Sequence, residues 1–194
     1  MTSRARIMRS SPDGHAYSFD AGTFSLELLL TGGPGMYARW ESLHQPDDLV
    51  RWLGDSMLGV ASSELAIGDD EFARIKEFRN ALLAVVLRTL ENKPADPADV
   101  ATINAAAGEP PVPRLDPVTL KPHWSTPVTG RQVLAAAAAD AMAALASGRI
   151  KQCSGDNCYL LYLDTSRPGN RRWCSMEHCG NRNKVRAHRA RARD

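Results

Sequence analysis

All four cysteines of this 194-residue chain lie in its last quarter, at 153, 158, 174 and 179, as two identical Cys-x4-Cys pairs with fifteen residues between them. Four soft thiolates are what a tetrahedral zinc ion takes, at about 2.3 Å each. Each short pair folds round one edge of the ion, and the intervening segment brings the pairs together. Disulfides are the competing use of the same residues. The opening MTSRARIMRSS has no apolar segment of the secretory kind, which predicts a cytoplasmic protein whose thiols stay reduced. With Cys153, Cys158, Cys174 and Cys179 all thiolates the sphere is closed, so the expected role of Zn2+ is structural. His178, next to Cys179, is a spare donor.

The text around the cysteines suits a small metal-built module. CSGDNC is a Gly/Asp/Asn turn, YLLYLDTS alternates as a strand, SRPGNR turns, and RRWC reads as a returning strand. Ser175 is placed to cap a final helix with Glu177 in its first turn. Knuckle, β-hairpin and helix make a treble-clef-like zinc finger over residues 149–194. Such a short segment buries little core, so metal binding is its expected source of folding energy. Trp173, Tyr159, Leu161 and Leu163 are expected to form an apolar plate beneath the ion.

Residues 1–148 read as a mainly helical domain with a small N-terminal β element. The first ten residues resemble an arm. AYSF and TFSLELLL read as strands, and TGGPG (31–35) as a chain reversal. The latter lacks the Gly-Lys-Ser/Thr of a phosphate loop. Pro46, followed by Asp47 and Asp48, opens a helix. DDEFARIKEFRNALLAVVLRTLEN carries apolar residues at three-to-five-residue steps and is the clearest helix, with Asp69 as its candidate cap. Further helices should run from Asp96-Pro97 toward Gly108 and from 128 to 147, with proline-rich extended text between them. An apolar content of 43% supports a core, but no run reaches the roughly 18 residues of a membrane span. His15, His44 and His123 have no ligand spacing. Trp40, Trp52 and Trp124 read as packing anchors. No nucleophile–base arrangement is visible, so the expectation is a protein that is not an enzyme. The helical domain has room for a small-molecule effector or a homodimer contact.

Charge is sharply divided. Residues 1–166 carry 15 Lys/Arg against 20 Asp/Glu, whereas residues 167–194 carry nine against two. Arg182, Arg186, Arg189 and Arg193 share one helical face, with Lys184 on another. Arg167, Arg171 and Arg172 add charge at the same end. The functional reading places these arginines on DNA phosphates, with Asn183 near base edges. A structured RNA or an acidic protein partner is the alternative.

Cys-x4-Cys, LDTS and RRWCSMEHCGNRNKVRAHRAR together resemble the CGNR zinc finger of bacterial proteins over about residues 149–192, including Cys179-Gly180-Asn181-Arg182 itself. LLLTGG followed by SLHQPDDLVRWL and the long helix resembles the ABATE domain that precedes this finger. The resemblance implies a stress-induced transcription regulator with a zinc-dependent DNA-binding end. The chain departs from the family at Leu30-Thr31, where an Asn-Thr pair is usual.

Overall fold

A computed structural model describes residues 7–10 and 16–191. His15 and Arg193 lie outside them. Among the described residues the fold is mainly α, with four two-stranded sheets and a cysteine-rich C-terminal finger. β1 (Ile7–Ser10) and β2 (Ala16–Phe19) pair antiparallel, so part of the expected arm is a strand. Next comes α1 (Phe24–Leu28), extended by a 3-10 turn through Thr31. This corrects the strand expected for TFSLELLL. Residues 24 to 28 are all buried, and a short apolar run buried on every side has no periodicity to distinguish helix from strand.

The remaining body helices follow their end signals. α2 (Pro46–Gly54) has Pro46 at its first position, and Asp48 accepts from the Gln45 amide at 3.1 Å. A two-residue strand β3 (Leu65–Ala66) precedes α3 (Asp69–Leu90), where Gly68 rather than Asp69 is the cap. Glu71 of the first turn reaches back to the Gly68 amide at 3.3 Å. Ile75, Phe78, Leu82 and Val85 are buried, with Phe72 and Leu90 at the margin of the core. α4 (Pro97–Ala105) is capped by Asp96, whose carboxylate accepts from the Ala98 amide. The proline-rich segment forms the hairpin β4 (Pro113–Leu115) and β5 (Pro122–Trp124), and β6 (Val128–Thr129) pairs parallel with β3. α5 (Gly130–Ala146) is capped by Thr129. Its buried face is almost all alanine, which lets α1 and α3 pack against it closely.

Among the described residues, two buried acidic or basic side chains, Arg79 and Glu27, mark the body. Arg79, 1% exposed, grips the Glu41 carboxylate with both terminal nitrogens, at 2.9 and 2.7 Å. It also donates to the Thr31 hydroxyl at 3.2 Å, clamping the glycine-rich reversal to α3. Glu27, also 1% exposed, accepts from the Met57 amide at 2.8 Å. Burial, reinforced by the charge of Asp20 and opposed by the Met57 hydrogen bond, pushes its carboxyl up to about 7. A carboxyl raised in the folded state favours folding while neutral, and that advantage is lost as pH rises through the folded value. At about 1.4 kcal/mol per unit, the penalty approaches about 3 kcal/mol in alkali. Glu27→Gln should therefore raise the unfolding midpoint more at pH 8 than at pH 6, by about 1 kcal/mol in stability. Equal gains at the two pH values would contradict this.

The C-terminal finger shares the body's core. β7 (Ile150–Gln152) pairs antiparallel with β8 (Leu161–Leu163), and the chain ends in a π-helical turn (Met176–Gly180) continued by α6 (Asn181–Arg191). β8 lies against α1, and the Leu163 amide donates to the Ala21 carbonyl at 2.8 Å. Gly22 makes this approach feasible. Its φ is +83°, and a Cβ there would stand 2.7 Å from the Leu163 carbonyl oxygen.

Candidate metal centre and basic face

The hairpin is not the one expected. RRWC forms no strand, and β8 pairs instead with β7. The knuckle Cys153–Cys158 is therefore the loop of the β7–β8 hairpin, with Cys153 immediately after one strand. The RRWC segment runs alongside, donated to by the Ser154 amide through the Arg172 carbonyl at 2.9 Å. Strand β7 is only three residues long, too short for alternation to announce it. Ser175 caps as expected, accepting from the Glu177 amide at 3.2 Å, and Cys179 sits on the first turn.

These elements bring all four cysteine sulfurs within 4.8 Å of one another. The Cys158 and Cys174 sulfurs are 3.8 Å apart. Four ligands at about 2.3 Å on tetrahedral axes stand about 3.8 Å apart, so the cluster matches a zinc sphere. Backbone amides are already aimed at the sulfurs. Cys174 and Gly155 donate to Cys153 Sγ at 3.2 and 3.4 Å. Hydrogen bonds from the neighbouring Cys158 and Cys174, opposed by burial, hold the Cys153 thiol well below its usual value. The crowding of Cys153 and Cys158, with burial, pushes Cys174 far up, and burial chiefly raises Cys179 to about 12. Four thiols at this spacing can all ionise only around a compensating cation. His178 is not in the cluster, and its ring stacks on Tyr17 at 4.4 Å.

Gly155 is the tightest point of the knuckle. A Cβ there would lie 2.7 Å from Cys179 Sγ and 3.4 Å from Cys153 Sγ. Gly155→Ala must push the two pairs apart. Loaded with zinc, the variant should yield the metal to a competing chelator at least about tenfold faster than zinc-loaded wild type, given the steep dependence of such sites on ligand placement. Transfer at the wild-type rate would contradict the crowding.

Behind the sulfurs lies a polar hub that sequence reasoning missed. Asp164, 1% exposed, accepts from Lys151 Nζ at 2.8 Å, the Ser166 hydroxyl at 2.6 Å and amide at 3.0 Å, and the Arg171 amide at 2.9 Å. Burial opposes ionisation, but Lys151 and the donors from Ser166 and Arg171 outweigh it and hold the carboxyl well below the usual range. The signal available was the Asp-x-Ser spacing of an Asx turn. Tyr162 was also missed. It is fully buried and donates to the Arg171 carbonyl at 3.0 Å. Leu161 and Tyr162 therefore form the buried plate, flanked by Leu163 and Trp173, whereas Tyr159 turns toward Trp40.

The basic residues divide into two groups. Arg171 turns inward, although it was expected to face DNA. Its guanidinium donates to the carbonyls of Trp173, Asp20 and Cys174 at 3.0, 3.1 and 2.6 Å and lies 4.0 Å from the Tyr162 ring centroid. Arg167, Arg172, Arg182, Lys184, Arg186 and Arg189 are exposed, and Asn183 is half-buried. Arg172 lies over the Trp173 ring, and Arg186 pairs with Asp156 of the knuckle. α6 carries no acidic residue of its own.

Residues 22–148 match the family model ABATE, described as "Putative stress-induced transcription regulator", and residues 149–192 match the CGNR zinc finger model. No curated protein matches the chain. Among the described residues, no helix is long and apolar enough to cross a membrane.

Proposed function

Because this chain belongs to the ABATE family and ends in a CGNR zinc finger, we propose that it is a DNA-binding transcription regulator rather than an enzyme. Residues 1–148 serve as its regulatory body and residues 149–194 as its DNA-contacting finger. Cys153, Cys158, Cys174 and Cys179 hold one Zn2+ in a closed thiolate sphere. The ion supplies folding energy and neutralises the clustered thiolates. The chain's own residues do the rest. Cys174 and Gly155 amides orient Cys153, and Asp164 ties the hairpin to the RRWC segment. Arg171 joins the finger to the body at Asp20.

The observation that carries the DNA reading is α6, an arginine-rich helix without an acidic residue, continuous with the π-helical turn that carries the ligand Cys179. Six exposed basic side chains, at 167, 172, 182, 184, 186 and 189, surround that end. Like charges so close repel one another, and an anionic surface relieves that repulsion. Phosphate neutralisation releases counterions, so log affinity falls with log salt by about 0.9 per phosphate. Engagement of four to six side chains predicts a slope of about −4 to −5. Replacing Arg182 and Arg189 together should flatten it by about two. Arg171→Ala should leave the slope unchanged, since its guanidinium is committed to backbone carbonyls. A slope near zero for the zinc-loaded protein, or flattening by Arg171→Ala as large as by the double change, would defeat this reading.

A further inference from the structure

A cavity of about 660 Å³ lies between part of the finger and the helical body, within the size range of small-molecule sites. Its two sides differ in chemistry. The body supplies an apolar floor at Leu29 and Leu30 and an aromatic wall, Tyr37 and Trp40, whose rings meet edge to face at 5.6 Å. Tyr159 of the finger continues the wall, 6.0 Å from Trp40. Opposite stands α6, presenting Arg182, Asn183 and Arg186. Arg39 lies over the outer edge of the wall, 4.5 Å from the Trp40 centroid and 5.7 Å from that of Tyr159. Asp156, paired with Arg186, is the acidic group of the lining.

Aromatic faces and a leucine floor suit a flat apolar body, and guanidinium groups opposite suit a carboxylate, which arginine can hold through two parallel hydrogen bonds. We infer that this cavity binds a small planar organic anion of the aromatic carboxylate class, and that its occupation weakens the hold of α6 on DNA. Arg182 and Arg186 stand one helical turn apart on a common face. A carboxylate seated between α6 and the wall competes with phosphate for them. The body thereby gains a means of controlling the finger without any large movement. The second half of the inference rests on the DNA reading; the first does not.

The zinc-loaded full chain is titrated by calorimetry with 1-naphthoate, cinnamate and indole-3-acetate, beside the neutral 1-naphthamide and inorganic phosphate. At least one aromatic carboxylate should saturate one site per chain, with the amide and phosphate each at least about tenfold weaker, as expected when arginine and the aromatic wall act together. Trp40→Ala should weaken binding by a similar factor. Asn183→Trp, which plugs the cavity from an exposed helix, should abolish it while zinc content stays at one per chain. The same carboxylate at saturation should weaken DNA binding about tenfold, within the usual range of coupling. Absence of saturation by every carboxylate, equal binding of acid and amide, or binding unaffected by both substitutions overturns the cavity assignment. Carboxylate binding with unchanged DNA affinity overturns the coupling. If the carboxylate binds but the protein binds no DNA at any salt, the cavity assignment stands and the DNA reading fails.

Discussion

Cys174→Ser should release the metal and unfold residues 150–191. Cys174 is buried, is within 4.8 Å of the three other sulfurs, and donates its amide to Cys153. Its carbonyl also receives the Arg171 guanidinium. One substitution thus removes a ligand at the point where both cysteine pairs and the body connection converge. Structural zinc contributes about 10–16 kcal/mol of apparent binding energy in isolated fingers, far more than a segment this short gains from its own apolar burial. The loss should also spread a limited distance into the body. The Leu163 amide donates to the Ala21 carbonyl and the Arg171 guanidinium to the Asp20 carbonyl, so the Leu163 amide should lose its hydrogen-exchange protection and residues 20–22 the finger that covers them. α3 and α5, which pack against each other, should keep theirs. Unchanged zinc content with unchanged protease resistance of the C-terminal quarter would refute the metal assignment. Loss of protection throughout α3 would refute the limited spread.

Asp164→Ala is expected to cost about 2–3 kcal/mol, because buried donors lose a charged acceptor, while Lys151, 35% exposed, keeps part of its hydration. Four donors lose their acceptor, and Lys151 is left beside the Gly169 and Arg171 carbonyls. Asp164→Asn should recover part of the loss because its carbonyl can still accept. The sign of the pH effect follows from the depressed carboxyl. Its contribution is present above the unfolded value of about 3.9 and is lost as pH falls below it. Denaturant unfolding of zinc-loaded wild type and variant would check this. A loss under about 1 kcal/mol would mean that the hub is solvated, as surface ion pairs are.

The legible parts of this molecule are those whose physics is local. Pro46 and Asp96 each begin a helix through a fixed φ or a cap that needs no tertiary knowledge. The paired cysteine spacing announces a four-sulfur cluster for the same reason, since each Cys-x4-Cys loop closes on itself. Elements set by distant partners were not legible. TFSLELLL is helical from Phe24 on and buried through Leu29, and such a run has no periodicity that distinguishes helix from strand. The partner of β8 is three residues of β7 rather than RRWC, a choice made by the fold of the knuckle. Arg171 looks like its basic neighbours in the sequence, yet three backbone carbonyls and a tyrosine ring draw it inward. Charge runs therefore identified the basic end correctly but could not sort its members. Trp40 reads as an anchor, and only the placement of α6 opposite makes it the wall of a cavity.

Leu30, where the resembled family usually carries asparagine, contributes to the apolar floor of that cavity. Thr31, its neighbour, is buried and held by Arg79. The two positions thus serve different ends, one lining the space and the other anchoring the loop that carries it.

The central claim is that a four-thiolate zinc site holds the basic helix in a DNA-binding posture. Zinc content and affinity for duplex DNA, followed together in the full chain as a chelator is titrated, test it most directly. The expected result is one zinc per chain at the outset, with DNA affinity falling in step with the metal and returning on zinc addition. Stoichiometric zinc without DNA binding, or DNA affinity that survives complete removal of zinc, would contradict it.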